Sequence, residues 1–380
     1  LSLALAAIML IGMMVVSASA VSYNDLTDKD QIVNKDAVSM LVSLGIIEGK
    51  PDGSYAPTEN VDRAQMAKML SVIMNKGVDN SALYQSVNSG LTDITSHWAK
   101  GHINYCYTTG IIAGRGTGTF DPSATVTALE AAKMLLVAVG YDPAIEGFEG
   151  ADWAINVSVR ADEQGIFEGF TKDLSAPLNR DDAALLIYNA LDVEMIQSYT
   201  TNNYPIVYSD HRTILSDKYG VIKVEGVVTA NEWAILDDDT DTALQEGKTR
   251  IYNPDGILST TGNTAVAQDS SANVKTQVFN VSTPVDMLGK AVTMYVKKTT
   301  ILADSTVYGA PVVSDVNTVI ETGEKVTGGD SKDDDSLAAL LKGTGLATDK
   351  ATEYYHNYEE VAIDSADVDD IMNVKGAALT

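Results

Sequence analysis

The sequence predicts an α+β multidomain protein with an all-α N-terminal part and a β-rich part behind it. The first observation is an internal repeat, because the residues around Gly45 return 65 positions later around Gly110. The second is a shorter, degenerate third copy, and the third is a change to alternating apolar and polar residues beyond about residue 191. Repeats of this length are typical of modules that pack against their own copies.

Four punctuating positions keep the offset of 65 residues between the first two copies. They are the pairs Gly45/Gly110, Gly53/Gly118, Pro57/Pro122 and Val61/Val126. Each copy predicts a helix, a Gly-rich loop and a second helix. We expect Gly110 to end a first helix. Thr127 with Glu130, and Asp62 with Gln65, are expected to form capping boxes at the second-helix starts.

The third copy keeps the order of these signals but has a shorter loop. Trp153-Ala154 repeats Trp98-Ala99, and Gly165-Ile166-Phe167-Glu168-Gly169 repeats the stretch that begins at Gly45. Three copies are about the minimum that can bury each other's apolar faces. We therefore predict a closed triplet of repeats, at residues 21–80, 87–142 and 143–195.

The β-rich part is predicted from alternating segments separated by Gly, Asn and Asp turns. The strand signals are Val221–Val228, Thr276–Val281 and Ala291–Val296. A small barrel or sandwich over 200–322 is the economical interpretation. Residues 323–380 are expected to form an acidic linker and the start of a possible further module.

The first twenty residues carry no charge and end in Ala18-Ser19-Ala20, the small-x-small form of a signal peptidase site. We interpret residues 1–20 as a signal peptide whose basic n-region is missing, so that the natural N-terminus is expected upstream. A retained transmembrane anchor is the alternative, because the run is just long enough to span a bilayer. Export is expected in both cases.

Composition narrows the classes of partner. The chain has 52 acidic and 26 basic residues and a formal net charge of −26. Nucleic acid and anionic membranes are therefore not expected as partners, since phosphate binding needs clustered positive charge. The single cysteine, Cys106, excludes disulfides, and its apolar helical neighbours indicate a buried side chain rather than a reactive thiol.

No enzymatic motif stands out in the sequence. The four histidines lack metal-ligand spacing, and there is no Gly-x-Ser-x-Gly elbow, phosphate loop or zinc-binding Cys pair. Asp237-Asp238-Asp239-Thr240-Asp241 lacks the Gly and terminal Glu of an EF-hand and is interpreted as a solvated turn. We therefore expect no catalytic residue, metal or cofactor.

Together, the motifs of the repeats resemble those of S-layer homology domains. In the second copy they are Asp93, Trp98-Ala99, Gly110-Ile111-Ile112, Gly114, Phe120-x-Pro122 and Val126-Thr127-x-x-Glu130-Ala131-Ala132. The resemblance covers about residues 21–195 in three copies. It implies a three-pronged spindle in which one helix of each repeat meets in a central bundle. It also implies non-covalent attachment to secondary cell-wall polysaccharide, often pyruvylated, at the surface of a Gram-positive-type bacterium.

The family signature is Thr-Arg-Ala-Glu at the start of the second helix, and no copy has it complete. Arg63 and Arg180 occupy the Arg position, whereas the second copy has Ala128 there but keeps Thr127 and Glu130. The resemblance therefore does not imply that the three grooves between neighbouring repeats bind equally.

The chemistry of such a site agrees with the resemblance. A guanidinium at a helix N-terminus suits a sugar-borne carboxylate, aromatic faces suit sugar rings, and glycines let the backbone approach a ligand. The predicted ligand-binding residues are Arg63, Arg180, Trp98, Trp153, Asp93, Gly49, Gly114, Thr127 and Glu130.

Several of these residues are open to a structural interpretation. The two tryptophans could be core residues of the first helices, which we favour over stacking on a ligand. The two arginines could be surface ion-pair partners of the abundant carboxylates. Asp25 and Asp93 are expected to be caps or loop braces, and Lys68 and Lys133 to lie on a solvated helix face.

The favoured hypothesis is a non-catalytic cell-surface protein, anchored to wall polysaccharide and with an S-layer or envelope role that includes self-association. The alternative is the anchor region of a larger surface enzyme, such as a glycan hydrolase, or of an adhesin. After signal cleavage no membrane partner is expected.

Overall fold

The computed structural model describes residues 23–236, 243–253, 256–257, 274–297, 305–314, 320–321, 355–356, 359–360 and 378–379. The predicted signal peptide, the acidic turn at 237–241 and most of 323–380 lie outside these ranges. The chain divides into two compact units. The first extends to Tyr208 and includes Thr213–Tyr219, and the second comprises Ser209–Arg212 and the chain from Gly220 onward.

Three pairs of helices build the first unit. Pair 1 consists of α1 (Lys35–Ser43) and α2 (Arg63–Met74), pair 2 of α3 (Lys100–Thr108) and α4 (Ala128–Val139), and pair 3 of α5 (Trp153–Glu163) and α6 (Arg180–Leu191). A Gly-containing loop joins the two helices of each pair. The helices predicted for the N-terminal part of an α+β chain are therefore present.

The helix ends form as the sequence predicts. Asp62 with Gln65, and Thr127 with Glu130, make reciprocal capping boxes at the starts of α2 and α4. Gly110 follows α3 with φ at +77°, the left-handed conformation that ends a helix without steric cost in glycine. Its counterparts after α1 and α5 have φ values of +69° and +70°.

The second helix of each pair packs against the first helix of the next. Thus α2 contacts α3, α4 contacts α5, and α6 contacts α1, which closes a ring of three pairs. The side chains at these contacts are apolar and buried; they include Val38, Leu41, Leu70, Ile103, Leu135 and Ile187. Cys106 is also fully buried, as predicted, and burial raises the pKa of its thiol.

The ring is closed at its centre by three extended residues that exchange backbone hydrogen bonds. The N–H of Val126 donates to the carbonyl of Val61 (2.9 Å), and the N–H of Leu178 donates to that of Val126 (2.7 Å). The N–H of Val61 donates in turn to the carbonyl of Leu178 (2.8 Å). Each residue immediately precedes the capped start of a second helix. The third helix pair therefore donates and accepts the same backbone hydrogen bonds at the centre of the ring as the other two pairs.

A polar contact reinforces the closing interface between α1 and α6. The backbone N–H of Asn34, the residue before α1, lies 3.2 Å from Oδ1 of Asp181, and its Nδ2 lies 3.0 Å from Oδ2. Asp181 is itself buried, and burial raises the pKa of its carboxyl, although the Asn34 donors act to lower it. These bonds connect the residue before the first helix to the second residue of the last helix.

After the ring the first unit adds a small hairpin and a short turn. Strands β1 (Ile196–Tyr199) and β2 (Pro205–Val207) pair antiparallel. The turn at Leu215–Tyr219 brings the Tyr219 hydroxyl to the carbonyl of Ile73, at 3.2 Å. Both elements therefore belong to the helical unit rather than to the β-rich one.

The second unit contains an antiparallel sheet of five strands. They are β3 (Val221–Ala230), β4 (Thr249–Tyr252), β5 (Thr276–Phe279), β6 (Ala291–Lys297) and β7 (Val307–Val313), in the order β5-β4-β3-β6-β7. One apolar cluster, including Val224, Ile251 and Phe279, packs on it. The predicted strands are confirmed, but the predicted barrel is wrong, because in the part of the chain that is described the edge strands β5 and β7 do not pair.

Two further strand pairs are short. Strand β8 (Ile320–Glu321) pairs with β11 (Ala378–Leu379), and β9 (Tyr355–His356) pairs with β10 (Glu359–Glu360), both antiparallel. Among the helices of the described ranges, none is long and apolar enough to cross a membrane.

Candidate ligand-binding grooves between the helix pairs

A carboxylate braces the loop of each of the first two pairs. Asp93 accepts the backbone N–H groups of Phe120 (2.9 Å) and Asp121 (2.7 Å). Burial acts to raise the pKa of Asp93, but these N–H donors bring it below its usual value. Asp28 accepts the N–H of Ala56 at 2.8 Å in the same way. Ala56 and Asp121 both have positive φ (+56° and +61°), so the braces hold strained turns in place.

Arg63 joins pair 1 to the loop of pair 2. Its Nε donates to the carbonyl of Phe120 and its Nη2 to that of Ala113, both at 2.9 Å, and the guanidinium lies 4.4 Å from the Phe120 ring centroid. The residue is only 4% exposed, with Nη1 4.0 Å from Glu130. Burial, with a smaller contribution from Arg115, lowers its pKa to about 10, although Glu130 acts to raise it. Arg63 is therefore a buried clamp between two pairs.

Arg180 makes the equivalent clamp from pair 3 to the loop of pair 1. Its Nε donates to the carbonyl of Tyr55 (2.7 Å) and its Nη2 to that of Glu48 (3.1 Å), with the guanidinium 4.8 Å from the Tyr55 ring centroid. Unlike Arg63, it is half-buried and lines an open groove. The surface ion-pair interpretation is wrong for both arginines, since backbone carbonyls are their main partners.

We call this cavity groove 1; it lies between the loop of pair 1, α2 and the start of α3. Its volume is about 560 Å³. Arg180, Lys68 and Lys50 supply positive charge along its wall, and Glu48 and Asp79 supply negative charge. Such a groove has the size of a site for a small organic ligand or one to two sugar units.

Trp98 lines groove 1 and is 56% exposed. The core interpretation is therefore wrong for this residue. Its ring lies 5.6 Å from the ring of His97 and 6.3 Å from that of His102. These contacts fix the indole at the edge of the groove, with more than half of its surface open to solvent.

Trp153 occupies the matching position at the start of α5 but has different surroundings. It is half-buried, and the Nζ of Lys133 lies 5.8 Å from its ring centroid. The same Nζ donates to the carbonyl of Phe148 at 2.6 Å. Burial lowers the pKa of Lys133, so its predicted place on a solvated face is wrong.

The loop glycines serve close packing. A Cβ on Gly114 would lie 2.9 Å from the carbonyl oxygen of Thr119, and one on Gly49 would lie 3.1 Å from a methyl of Leu26. A side chain at Gly114 would therefore require the loop backbone to move, and one at Gly49 would require the Leu26 side chain to shift.

Thr127 and Glu130 are used by the capping box of α4. Glu130 also accepts from Nη1 of Arg115 at 3.1 Å. These two residues therefore shape the helix start that faces the second loop.

Two residues were missed by the sequence reasoning. Asp28, not Asp25, is the counterpart of Asp93, and the offset of 65 residues could have identified it. Lys68 lines groove 1, 3.6 Å from Glu48, instead of lying on a featureless helix face.

Ser71, His102 and Asp79 form a chain of polar contacts beneath groove 1. Ser71 Oγ lies 2.6 Å from His102 Nδ1, and His102 Nε2 lies 3.6 Å from Asp79 Oδ2. Ser71 Oγ also lies 2.9 Å from the carbonyl of Lys68 within α2, and both Ser71 and His102 are buried. The arrangement is that of a structural brace, because no substrate can reach the hydroxyl.

Comparison with known proteins connects this geometry to a family. Residues 22–67 and 90–132 match the S-layer homology domain. The matched segments lie in pairs 1 and 2, and pair 3 lies outside them.

The chain is also similar to proteins of bacterial envelopes. Over 253 residues it is 28% identical to a cell surface protein of Thermoanaerobacter kivui, covering 65% of this chain and 30% of that protein. Over 113 residues it is 32% identical to an S-layer protein of Bacillus licheniformis (30% and 12%). Over 188 residues it is 28% identical to the exoglucanase XynX of Acetivibrio thermocellus (46% and 16%).

The chain spans less than a third of the length of these relatives. The protein is thus a cell-surface protein of a Gram-positive-type bacterium that carries S-layer homology segments.

Proposed function

We propose that the helix pairs form an S-layer homology triplet that anchors the protein non-covalently to secondary cell-wall polysaccharide, with the third pair as a degenerate copy. The observation that carries the proposal is groove 1, where an exposed Trp98 lies in the same cavity as Arg180 and Lys68. In a chain of net charge −26, a local group of cations beside an open aromatic face is unusual.

The chemistry favours an anionic sugar unit, such as one that bears a pyruvyl ketal. Arg180 is the first residue of α6, where the helix dipole adds to the charge of the guanidinium. The face of Trp98 is suited to the apolar face of a sugar ring. Arg63 and Trp153 are the counterparts in the second groove, and the loop residues that shape the grooves are Asp93, Gly49, Gly114, Thr127 and Glu130.

In this proposal the anchor carries the β-rich unit at the cell surface, as a non-catalytic S-layer or envelope protein that self-associates. The similarity to an exoglucanase supports a second possibility, in which the same anchor belongs to a larger surface enzyme. A catalytic module encoded beyond Thr380 would favour that second possibility; a gene that ends in further non-catalytic modules would favour the first.

Co-sedimentation of the full chain with purified sacculi tests the anchor. We expect binding to sacculi that retain their polysaccharide and none after it is stripped. Binding that survives stripping would contradict polysaccharide recognition.

The same assay tests Arg180. Replacing it with Ala should weaken binding by about 1.5–3 kcal/mol, the value of one charged hydrogen-bonded contact. Unchanged binding by a folded Arg180→Ala variant would make this arginine purely structural.

A further inference from the structure

We propose that the three grooves of the ring are graded in affinity, with groove 1 as the principal site and Lys68 and Trp98 as the residues that make it so. The proposal rests on the proposed function, because the ligand is again an anionic sugar unit of the wall polysaccharide. What it adds is a reason, in this chain's own side chains, for one groove to dominate.

The grooves are defined by equivalent positions in the ring. Groove 2 lies between the loop of pair 2, α4 and the start of α5, and groove 3 between the loop of pair 3, α6 and the start of α1. Groove 1 has Arg180, Lys68 and Trp98 at three of its positions. The corresponding residues are Arg63, Lys133 and Trp153 in groove 2, and Ala128, Leu185 and Val33 in groove 3.

In groove 1 both binding groups are available. The only ion-pair partner of Lys68 within the described ranges is Glu48, at 3.6 Å, and the Glu48 side chain is 70% exposed. An exposed ion pair of this kind contributes little free energy, so replacing Glu48 by a ligand carboxylate as the partner of Lys68 costs little. The capping residue beside it, Gln65, is neutral and lines the same cavity. Asp62, the acidic member of this capping box, does not line the cavity, so the acids that an anion meets here are Glu48 and Asp79.

In groove 2 the same groups are already occupied. Lys133 donates to the carbonyl of Phe148 and lies over the ring of Trp153, so a sugar must displace it to stack. Arg63 and Arg180 each donate to two backbone carbonyls, but Arg63 is buried whereas Arg180 is half-buried. The capping residue is Glu130, an acid that accepts from Arg115 and repels a second anion.

In groove 3 neither a cation nor an aromatic face is present at the equivalent positions. Leu185 takes the place of Lys68, and its methyl groups lie 3.7 and 3.9 Å from where a Cβ on Gly169 would be. Val33 takes the place of Trp98 and Ala128 that of the arginine. This groove offers an anionic sugar no charged contact from these three positions.

Matched variants of the full chain test the gradient by titration with soluble polysaccharide released from sacculi. We expect Lys68→Ala and Trp98→Ala each to raise the Kd by about tenfold or more, the effect of losing one charged or aromatic anchor. The equivalent changes in groove 2, Lys133→Ala and Trp153→Ala, should stay within about twofold. Lys68→Gln, which keeps the length of the side chain without its charge, guards against an effect of packing.

The outcomes separate this inference from the proposed function. If the unmodified chain does not bind the polysaccharide at all, the proposed function fails. If it binds but the groove 2 variants lose as much affinity as the groove 1 variants, the gradient is wrong while the anchor stands. Circular dichroism and thermal melting of each variant identify any that fails to fold, and for such a variant the conservative change to Gln or Phe replaces Ala.

Discussion

At the scale of single residues, Arg63 shows how one side chain can connect two repeats. Its Nε and Nη2 satisfy carbonyls of the neighbouring loop, and its guanidinium lies against the Phe120 ring. Such a clamp needs a long side chain with several donors in a fixed plane, which lysine does not provide. Arginine at this position is therefore needed for the geometry of its side chain as well as for its charge.

We expect Arg63→Ala to lower the free energy of unfolding by about 2–4 kcal/mol, because it leaves the buried carbonyl of Phe120 and the more exposed one of Ala113 without their guanidinium donors and removes a packed side chain. Urea denaturation measures this change. Arg115→Ala is the control, since that side chain is 40% exposed and its loss should change stability by less than about 1 kcal/mol. Equal effects of the two changes would contradict the clamp.

His102 gives the first unit a pH dependence. Burial lowers its pKa, Asp79 opposes this shift, and Lys68 adds to it. The unfolded chain, with an ordinary histidine pKa of about 6.5, then binds the proton more readily than the folded chain. The contribution of His102 to stability is full above that value and is lost as the pH falls below it.

We therefore expect the urea midpoint to fall between pH 7.5 and pH 5, and the fall to be smaller in His102→Gln. His97→Gln, a change at a less buried histidine three positions before α3, is the control and should keep the pH dependence of the unmodified chain. An identical pH profile in His102→Gln would assign the effect to other groups.

The sequence predicts the role of a residue best when its partners lie within the same repeat. Capping pairs and loop glycines act over a few positions, so their roles were visible from spacing. Arg63 and Arg180 act on another repeat's loop, and the sequence does not tell that their partners are backbone carbonyls. Trp98 and Trp153 have the same motif but different exposure, because their neighbours from other helices differ.

At the scale of elements, the capping boxes explain why the second helices begin where they do. Each box satisfies two backbone donors at once, next to the extended residue that enters the ring centre. The start of α6 has only half of this arrangement, since Asn179 accepts from Asp182 but no reciprocal bond forms.

We expect Thr127→Ala to lower the free energy of unfolding by about 1 kcal/mol, the usual cost of losing an N-cap side chain. Thermal or urea denaturation measures it. Thr109→Ala, at the C-terminal end of α3, removes only a hydroxyl that donates to the carbonyls of Tyr105 and Cys106 and should cost less than about 0.5 kcal/mol. A loss no greater than this control would show that the cap is dispensable.

The helices were more predictable than the sheet because their signals are local. Apolar spacing, caps and glycines identify a helix from its own residues, and alternation identified β3, β5 and β6. The sequence did not identify β4, or β7, which contains Gly309 and Pro311. The predicted barrel was wrong because strand order depends on long-range pairing that alternation does not encode.

At the scale of the whole molecule, we expect the first unit to fold and unfold as one cooperative ring. Val61, Val126 and Leu178 each donate to one neighbour and accept from the other, so no pair completes its own backbone bonding. This closure therefore needs all three pairs.

We expect the amides of these three residues to exchange hydrogen together, at the rate set by unfolding of the whole ring. Leu178→Ala, which removes a buried side chain at a cost of about 2–4 kcal/mol, should reduce protection at Val61 and Val126 as well. Native-state hydrogen exchange measures all three sites. Loss of protection confined to pair 3 would contradict a single cooperative ring.

The contact between Asn34 and Asp181 has a mechanical consequence. It joins the residue before α1 to the second residue of α6, so it lies across the path of any tension between the chain before α1 and the chain after α6. Its hydrogen bonds and the Arg180 clamp must break together before the last pair can peel away. When shear acts on the protein at the cell surface, these bonds thus hold together the interface between α1 and α6, which the load would otherwise open.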